Sequence, residues 1–86
     1  MEIGFSNEAL EHLQYWKKSG NKKVAEKIVD LLKEIQISPF EGTGKPEALK
    51  HKWSGYWSRR ITGDHRLVYK VENETIFVTQ LRFHYS

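Results

Sequence analysis

Residues 56–83 read YWSRRITGDHRLVYKVENETIFVTQLRF. Three runs rich in β-branched and aromatic residues, Tyr56 to Thr62, His65 to Val71 and Thr75 to Phe83, are separated by Gly63-Asp64 and by Glu72-Asn73-Glu74. Such runs bounded by turn formers predict strands joined as two successive hairpins. Alternation puts Arg66, Val68 and Lys70 on one face of the middle strand and Leu67, Tyr69 and Val71 on the other, so the apolar set is expected to face the helices. In the last strand Phe77, Thr79, Leu81 and Phe83 share a face, and Ile76, Val78, Gln80, Arg82 and His84 share the opposite one, which turns polar toward the chain end. A three-residue turn around Asn73, if it sets the register, places Leu67 across from Thr79 and Arg66 across from Gln80. That register gathers Arg66, Arg82 and His84 on one surface.

Upstream of this sheet the pattern is helical. Glu2-Ile3-Gly4-Phe5 alternates and reads as a short strand, after which Ser6 can cap a helix whose first turn carries Glu8. The helix is expected to run to about Ser19, burying Leu10, Leu13 and Trp16, with Lys17 and Lys18 at its negative end and a stop at Gly20. Asn21 can cap a second helix in which Val24, Ile28, Leu31, Leu32 and Ile35 form an apolar stripe. Ser38-Pro39 ends it, because a residue before proline avoids the helical region, and a polar loop over residues 40–47 follows. A further strand is read near Leu49 to Trp53. The expectation is one domain spanning residues 1–86 with an α+β fold, an N-terminal strand and two helices packed on a mainly antiparallel sheet.

Composition excludes several classes. The 86 residues contain no cysteine, so disulfides and thiolate metal sites are ruled out. No stretch approaches the roughly 18 apolar residues that a membrane-spanning helix needs, and the N-terminus lacks a secretory pattern, so the expected location is the cytoplasm. The chain carries 14 Lys and Arg against 11 Asp and Glu. Between Lys45 and Arg66 the cations concentrate: Lys45, Lys50, Lys52, Arg59, Arg60 and Arg66, with His51 and His65, face only Glu47 and Asp64. Trp53, Tyr56 and Trp57 are interleaved among them. Cations meet phosphates and aromatic rings stack on unpaired bases, so single-stranded RNA is the polyanion this pattern suits.

Cleaving RNA without a metal needs a base for the 2′-hydroxyl proton, an acid for the departing 5′-oxygen and positive charge on the phosphorane. Glu47, in the basic loop, is a candidate base. His84 is a candidate acid, since imidazole exchanges protons near neutral pH. Arg66 offers a planar fork of donors shaped for a phosphate. Tyr85 can donate to a phosphate oxygen, stack on a base or anchor the chain end, and spacing does not choose among these. The histidines at 12, 51, 65 and 84 form no close ligand pair, so no metal and no cofactor is expected. A serine nucleophile elbow is absent as well.

The run from Pro39 to His51, PFEGTGKPEALKH, together with SGYWSRRIT from Ser54, HRLVY from His65 and the closing Arg82-Phe83-His84-Tyr85, resembles the YoeB toxins of bacterial toxin-antitoxin pairs. The resemblance extends over essentially the whole chain. It implies a RelE-like, microbial-RNase-like fold and an endoribonuclease that cuts messenger RNA in the ribosomal A site and so inhibits translation. The family's base falls on Glu47, its acid on His84, its phosphate-stabilising arginine on Arg66 and its terminal tyrosine on Tyr85. Further substrate contacts fall on Lys50 and Arg60. Geometry leaves Arg59 and Arg60 open: a two-residue Gly63-Asp64 turn puts Arg59 beside Arg66, whereas a longer turn or a bulge puts Arg60 there. Ser86 extends the chain past the usual His-Tyr ending. The implied partners are a YefM-like antitoxin, the ribosome with its mRNA, operator DNA only through the antitoxin complex, no membrane, and in some members a second copy. The competing reading is a non-catalytic RNA- or DNA-binding module that acts with an antitoxin in autoregulation.

Overall fold

The computed structural model describes residues 1–83. The C-terminal runs form β3 (Trp57–Arg60), β4 (Arg66–Glu72) and β5 (Thr75–Gln80), numbered after β1 (Glu2–Phe5) and β2 (Glu47–Ala48). Between β1 and β2 lie helices α1 (Asn7–Ser19) and α2 (Lys22–Ile37). The five strands make one sheet in the order β1-β5-β4-β3-β2. Only β1 against β5 is parallel; the other pairs are antiparallel.

Local chemistry sets the helix ends as expected. The Ser6 hydroxyl accepts from the Ala9 N–H at 3.0 Å, and Gly20 closes α1 at φ 77°. The Asn21 side chain accepts from the Val24 N–H at 3.2 Å. Along α2, Val24, Ile28, Leu31 and Ile35 are buried against Leu67, Tyr69, Ile76, Val78 and Leu81 of the sheet side, with Leu32 partly covered. Full burial of each such side chain contributes about 1.5 to 3 kcal/mol.

Helix α1 departs from the apolar pattern. Ala9, His12 and Trp16 are buried, whereas Leu10 is 46% exposed and Leu13 only partly covered. The rotation follows from two ring hydrogen bonds: His12 accepts from the Leu81 N–H at 3.0 Å and Trp16 donates to the Leu81 carbonyl at 2.8 Å. Two buried polar contacts outweigh one exposed leucine.

The β4–β5 register also differs from the sequence expectation. Asn73 and Glu74 alone form the turn, both with positive φ (51° and 61°), so Glu72 pairs with Thr75. This is the primed geometry whose twist matches a hairpin. Farther along, Tyr69 pairs with Val78 but Val68 with Gln80, leaving Thr79 as an extra residue on β5. A bulge of this kind inverts the alternation beyond it. Leu81 therefore joins Ile76 and Val78 in the core, although simple alternation groups it with the exposed Phe77.

The strand expected near Leu49 to Trp53 is replaced by β2 and by one turn of 3-10 helix over His51–Trp53. There the chain folds back, with the Leu49 N–H donating to the Tyr56 carbonyl and the Trp53 N–H to Lys50. Gly55, at φ 93°, completes the reversal into β3.

Candidate functional site

Glu47 pairs with Ser58, and Arg60 with Arg66, on the adjacent strands β2, β3 and β4. Residues two apart on a strand share a face, so Glu47, Arg60 and Arg66 project from the side of the sheet opposite the helices. With Lys45 and Pro46 they line a hollow of about 350 Å³. Glu47 also borders a neighbouring hollow of about 270 Å³ lined by Ala48, Leu49, Lys50 and His51. Lys50 thus borders the second hollow and the two arginines the first, with Glu47 common to both. Glu47, Lys50 and Arg60 are exposed, while Arg66 is half-buried. The Nε of Arg66 is buried with no hydrogen-bond partner among the described residues. Arg66 also lines the hollow, where its guanidinium fork is shaped to meet an oxyanion.

The choice between the two arginines is decided by the β3–β4 connection. Residues 61–65 form a five-residue loop, closed by the Ile61 and Thr62 N–H groups on the His65 carbonyl at 2.9 and 3.3 Å. The longer loop puts Arg60 directly across from Arg66. Arg59 points the other way and is fully buried.

Arg59 organises the approach to the site from beneath. It forms an ion pair with Glu34 and donates to the carbonyls of Ser38 (2.6 Å), Glu41 (2.8 Å) and Thr43 (3.3 Å) and to the Tyr69 hydroxyl (3.3 Å). Tyr69 in turn donates to the Pro39 carbonyl at 2.6 Å. The segment leading to Lys45-Pro46-Glu47 is therefore tied down residue by residue. Gly44, at φ 85°, accepts from the Arg60 N–H at 2.7 Å, and a Cβ there would stand 3.0 Å from the Arg60 carbonyl. The Thr43 hydroxyl and N–H hold the Glu34 carboxyl below its usual range, helped by Arg59. Burial pushes the Tyr69 hydroxyl up.

Sequence reading missed this Glu34–Arg59–Tyr69 hub. A signal was present: Trp57, Arg59 and Ile61 share the inward phase of the run from Tyr56 to Thr62, and an arginine in an apolar phase requires a buried acceptor set.

His84 and Tyr85 lie outside the described residues, as does Ser86. The last described carbonyl, that of Phe83, accepts from the Arg66 N–H at 3.0 Å and from Gln80 Nε2 at 3.0 Å. Arg82, expected on the Arg66 surface, instead lays its guanidinium 3.4 Å from the ring centre of Tyr15 on α1. Among the described residues, no group of three or more His, Asp or Glu is placed to hold a metal ion. No helix there is long and apolar enough to cross a membrane.

Residues 5–85 match the model of the YoeB-like toxins of bacterial type II toxin-antitoxin systems. The chain is 45% identical to Toxin YoeB of Escherichia coli strain K12 over 85 residues, covering 99% of this chain and 100% of that protein. It superimposes on a YoeB/ParE toxin from Agrobacterium tumefaciens with a TM-score of 0.94 at 40% identity, covering 99% and 100% of the two chains. Against YoeB of Staphylococcus aureus, solved in complex with YefM and as a dimer, the TM-score is 0.89 at 44% and 43% identity, with 99% and 98% coverage. The expected RelE-like fold is the fold observed.

Proposed function

The chain belongs to the YoeB-like toxins of bacterial type II toxin-antitoxin systems, and on that premise we propose that it is a metal-independent endoribonuclease cutting mRNA in the ribosomal A site. The observation that carries the proposal is the convergence of Glu47, Arg60 and Arg66 from three neighbouring strands on one open hollow. Glu47 takes the proton from a 2′-hydroxyl, whose oxygen attacks the adjacent phosphorus. Arg66, which lines the hollow, stabilises the charge of the phosphorane. His84 protonates the departing 5′-oxygen, leaving a 2′,3′-cyclic phosphate and a 5′-hydroxyl. Lys50 and Arg60 hold the flanking phosphates, and Tyr85 completes the constellation at the chain end.

The S. aureus relative is found with YefM and as a dimer. For this chain we infer a YefM-like antitoxin that covers the basic face, contact with operator DNA only through that complex, and self-association to a homodimer. Action on ribosomes places the protein in the cytoplasm.

The test is primer extension on programmed ribosomes. New stops at A-site codons that persist in EDTA are expected, and Glu47→Gln and His84→Ala should each lower cleavage by about 100-fold or more with ribosome binding retained. Undiminished cleavage by both variants sinks the assignment. Salt-sensitive binding without any stops means a binding module instead.

A further inference from the structure

Beyond β5 the chain is held by an arrangement that neither the strands nor the candidate catalytic set requires. The Leu81 N–H donates to Nδ1 of His12 at 3.0 Å, and the Phe83 N–H donates to Nδ1 of His65 at 2.8 Å. One imidazole comes from α1 and the other from the β3–β4 loop. The Leu81 carbonyl is taken by Trp16 Nε1 at 2.8 Å, and the Phe83 carbonyl by Arg66 and Gln80. The rings interlock: Trp16 meets His65 edge-on at 5.0 Å, and Phe83 meets His12 at 5.9 Å. Phe83 sits at φ 66°, a conformation that a non-glycine residue keeps only when its surroundings impose it.

We propose that His12 and His65 are positioning residues: as hydrogen-bond acceptors they latch the Leu81–Phe83 segment beside Arg66, and protonation of His12 unlatches it. The latch stands on geometry alone; its consequence for cleavage rests on the proposed function, in which the residue bonded to Phe83 is the acid.

Chemistry makes the latch sensitive to pH. An imidazole whose Nδ1 accepts a hydrogen bond must carry its single proton on Nε2, and an imidazolium has no acceptor at all. The charged groups around His12 are Glu8 and Glu11 on its own helix, which favour the proton, and Arg82 and His65, which oppose it. Burial is the largest influence, and it lowers the His12 pKa below the ordinary histidine value. Since the folded value is depressed, the stability contributed by neutral His12 is complete above the unfolded value of about 6.5 and is lost as pH falls through the folded value. The latch gives activity an acid limb that follows His12.

Asparagine separates the two contributions, because its Oδ1 occupies roughly the place of Nδ1 and accepts without titrating. The experiment is amide hydrogen exchange at Leu81 and Phe83 from pH 5 to 8, followed by NMR and corrected for intrinsic rates, with ribosome-dependent cleavage measured in parallel. His12→Ala and His65→Ala should each reduce protection of the amide they serve by about five- to tenfold at pH 7.5, while the asparagine variants retain it. Wild-type protection at Leu81 should fall severalfold by pH 5.5, toward the roughly tenfold ceiling that an unlatched value of about 6.5 sets, and stay level in His12→Asn. In cleavage, His12→Ala should lower kcat more than it raises KM, and His12→Asn should restore kcat and move the acid limb to lower pH. Unchanged protection in the alanine variants, or a Leu81 amide indifferent to pH in the wild type, overturns the latch. Protection that follows the prediction while kcat stays at the wild-type value overturns the positioning role. Latch behaviour in a wild type that cuts nothing leaves the latch standing and removes the ribonuclease reading. Should His12→Ala fail to fold, the pH profile of His12→Asn still decides.

Discussion

Arg59 and Arg60 are consecutive and do opposite work. Alternation sends Arg59 into the protein, where Glu34 and three carbonyls receive it, and sends Arg60 to the open hollow beside Arg66. Replacing Arg59 with Ala leaves those acceptors unpaired, and a loss of about 2 to 4 kcal/mol in urea unfolding is expected. Arg60→Ala should change stability by no more than about 0.5 kcal/mol, yet weaken RNA binding and reduce its salt slope by about one. Glu34 gives the hub an acid signature. Its carboxyl is held down first by Thr43 and then by Arg59, so the stability it contributes is present above the ordinary glutamate range and is lost as pH falls through the depressed value. Thr43→Val should therefore lower stability at pH 7, with the difference from the wild type shrinking as pH falls below the ordinary glutamate range, as unfolding across a pH series will show.

At the level of elements, the turns decide what the strands present. Glu74 occupies a left-handed position at φ 61°, where a side chain costs about 1 to 2 kcal/mol relative to glycine. Glu74→Gly should consequently stabilise the β4–β5 hairpin by about 1 kcal/mol and raise the melting temperature by several degrees. Gly44 is the converse case. An alanine there combines positive φ with a Cβ 3.0 Å from the Arg60 carbonyl. Gly44→Ala should lower stability by about 1 to 3 kcal/mol, and it should impair cleavage beyond that loss because Gly44 leads directly into Lys45–Glu47. Activity measured well below the melting temperature separates the two effects.

Over the whole molecule, the sheet divides the labour. Its helix-covered face holds the core, and its other face carries Glu47, Arg60 and Arg66 beside Lys45 and Pro46. An acidic antitoxin segment lying on that face would bind the folded chain alone. Saturating the protein at about 100 times Kd with a YefM-like antitoxin should add about 2.7 kcal/mol of apparent stability, read as a concentration-dependent rise in melting temperature. A melting temperature unmoved by the antitoxin would contradict binding to the folded state.

The α+β order of elements, the caps at Ser6 and Asn21, the stop at Gly20, the apolar stripe of α2 and the family to which the chain belongs were all legible in the amino-acid sequence. These are short-range properties: capping chemistry and side-chain period act over a few residues and need no distant partner. The sequence also named Glu47 and Arg66 as base and phosphate holder from residue chemistry, while Arg60 joined them only through family resemblance. Tertiary structure alone decided which of two adjacent arginines faces the hollow, because one residue more or less in the 61–65 loop reverses every side chain beyond it. It likewise turned α1 to bury His12 in place of Leu10, and it inverted the phase of β5 at Thr79. Hydrogen bonds between residues some seventy positions apart, such as Leu81 to His12, made those choices, and no local pattern encodes such a contact.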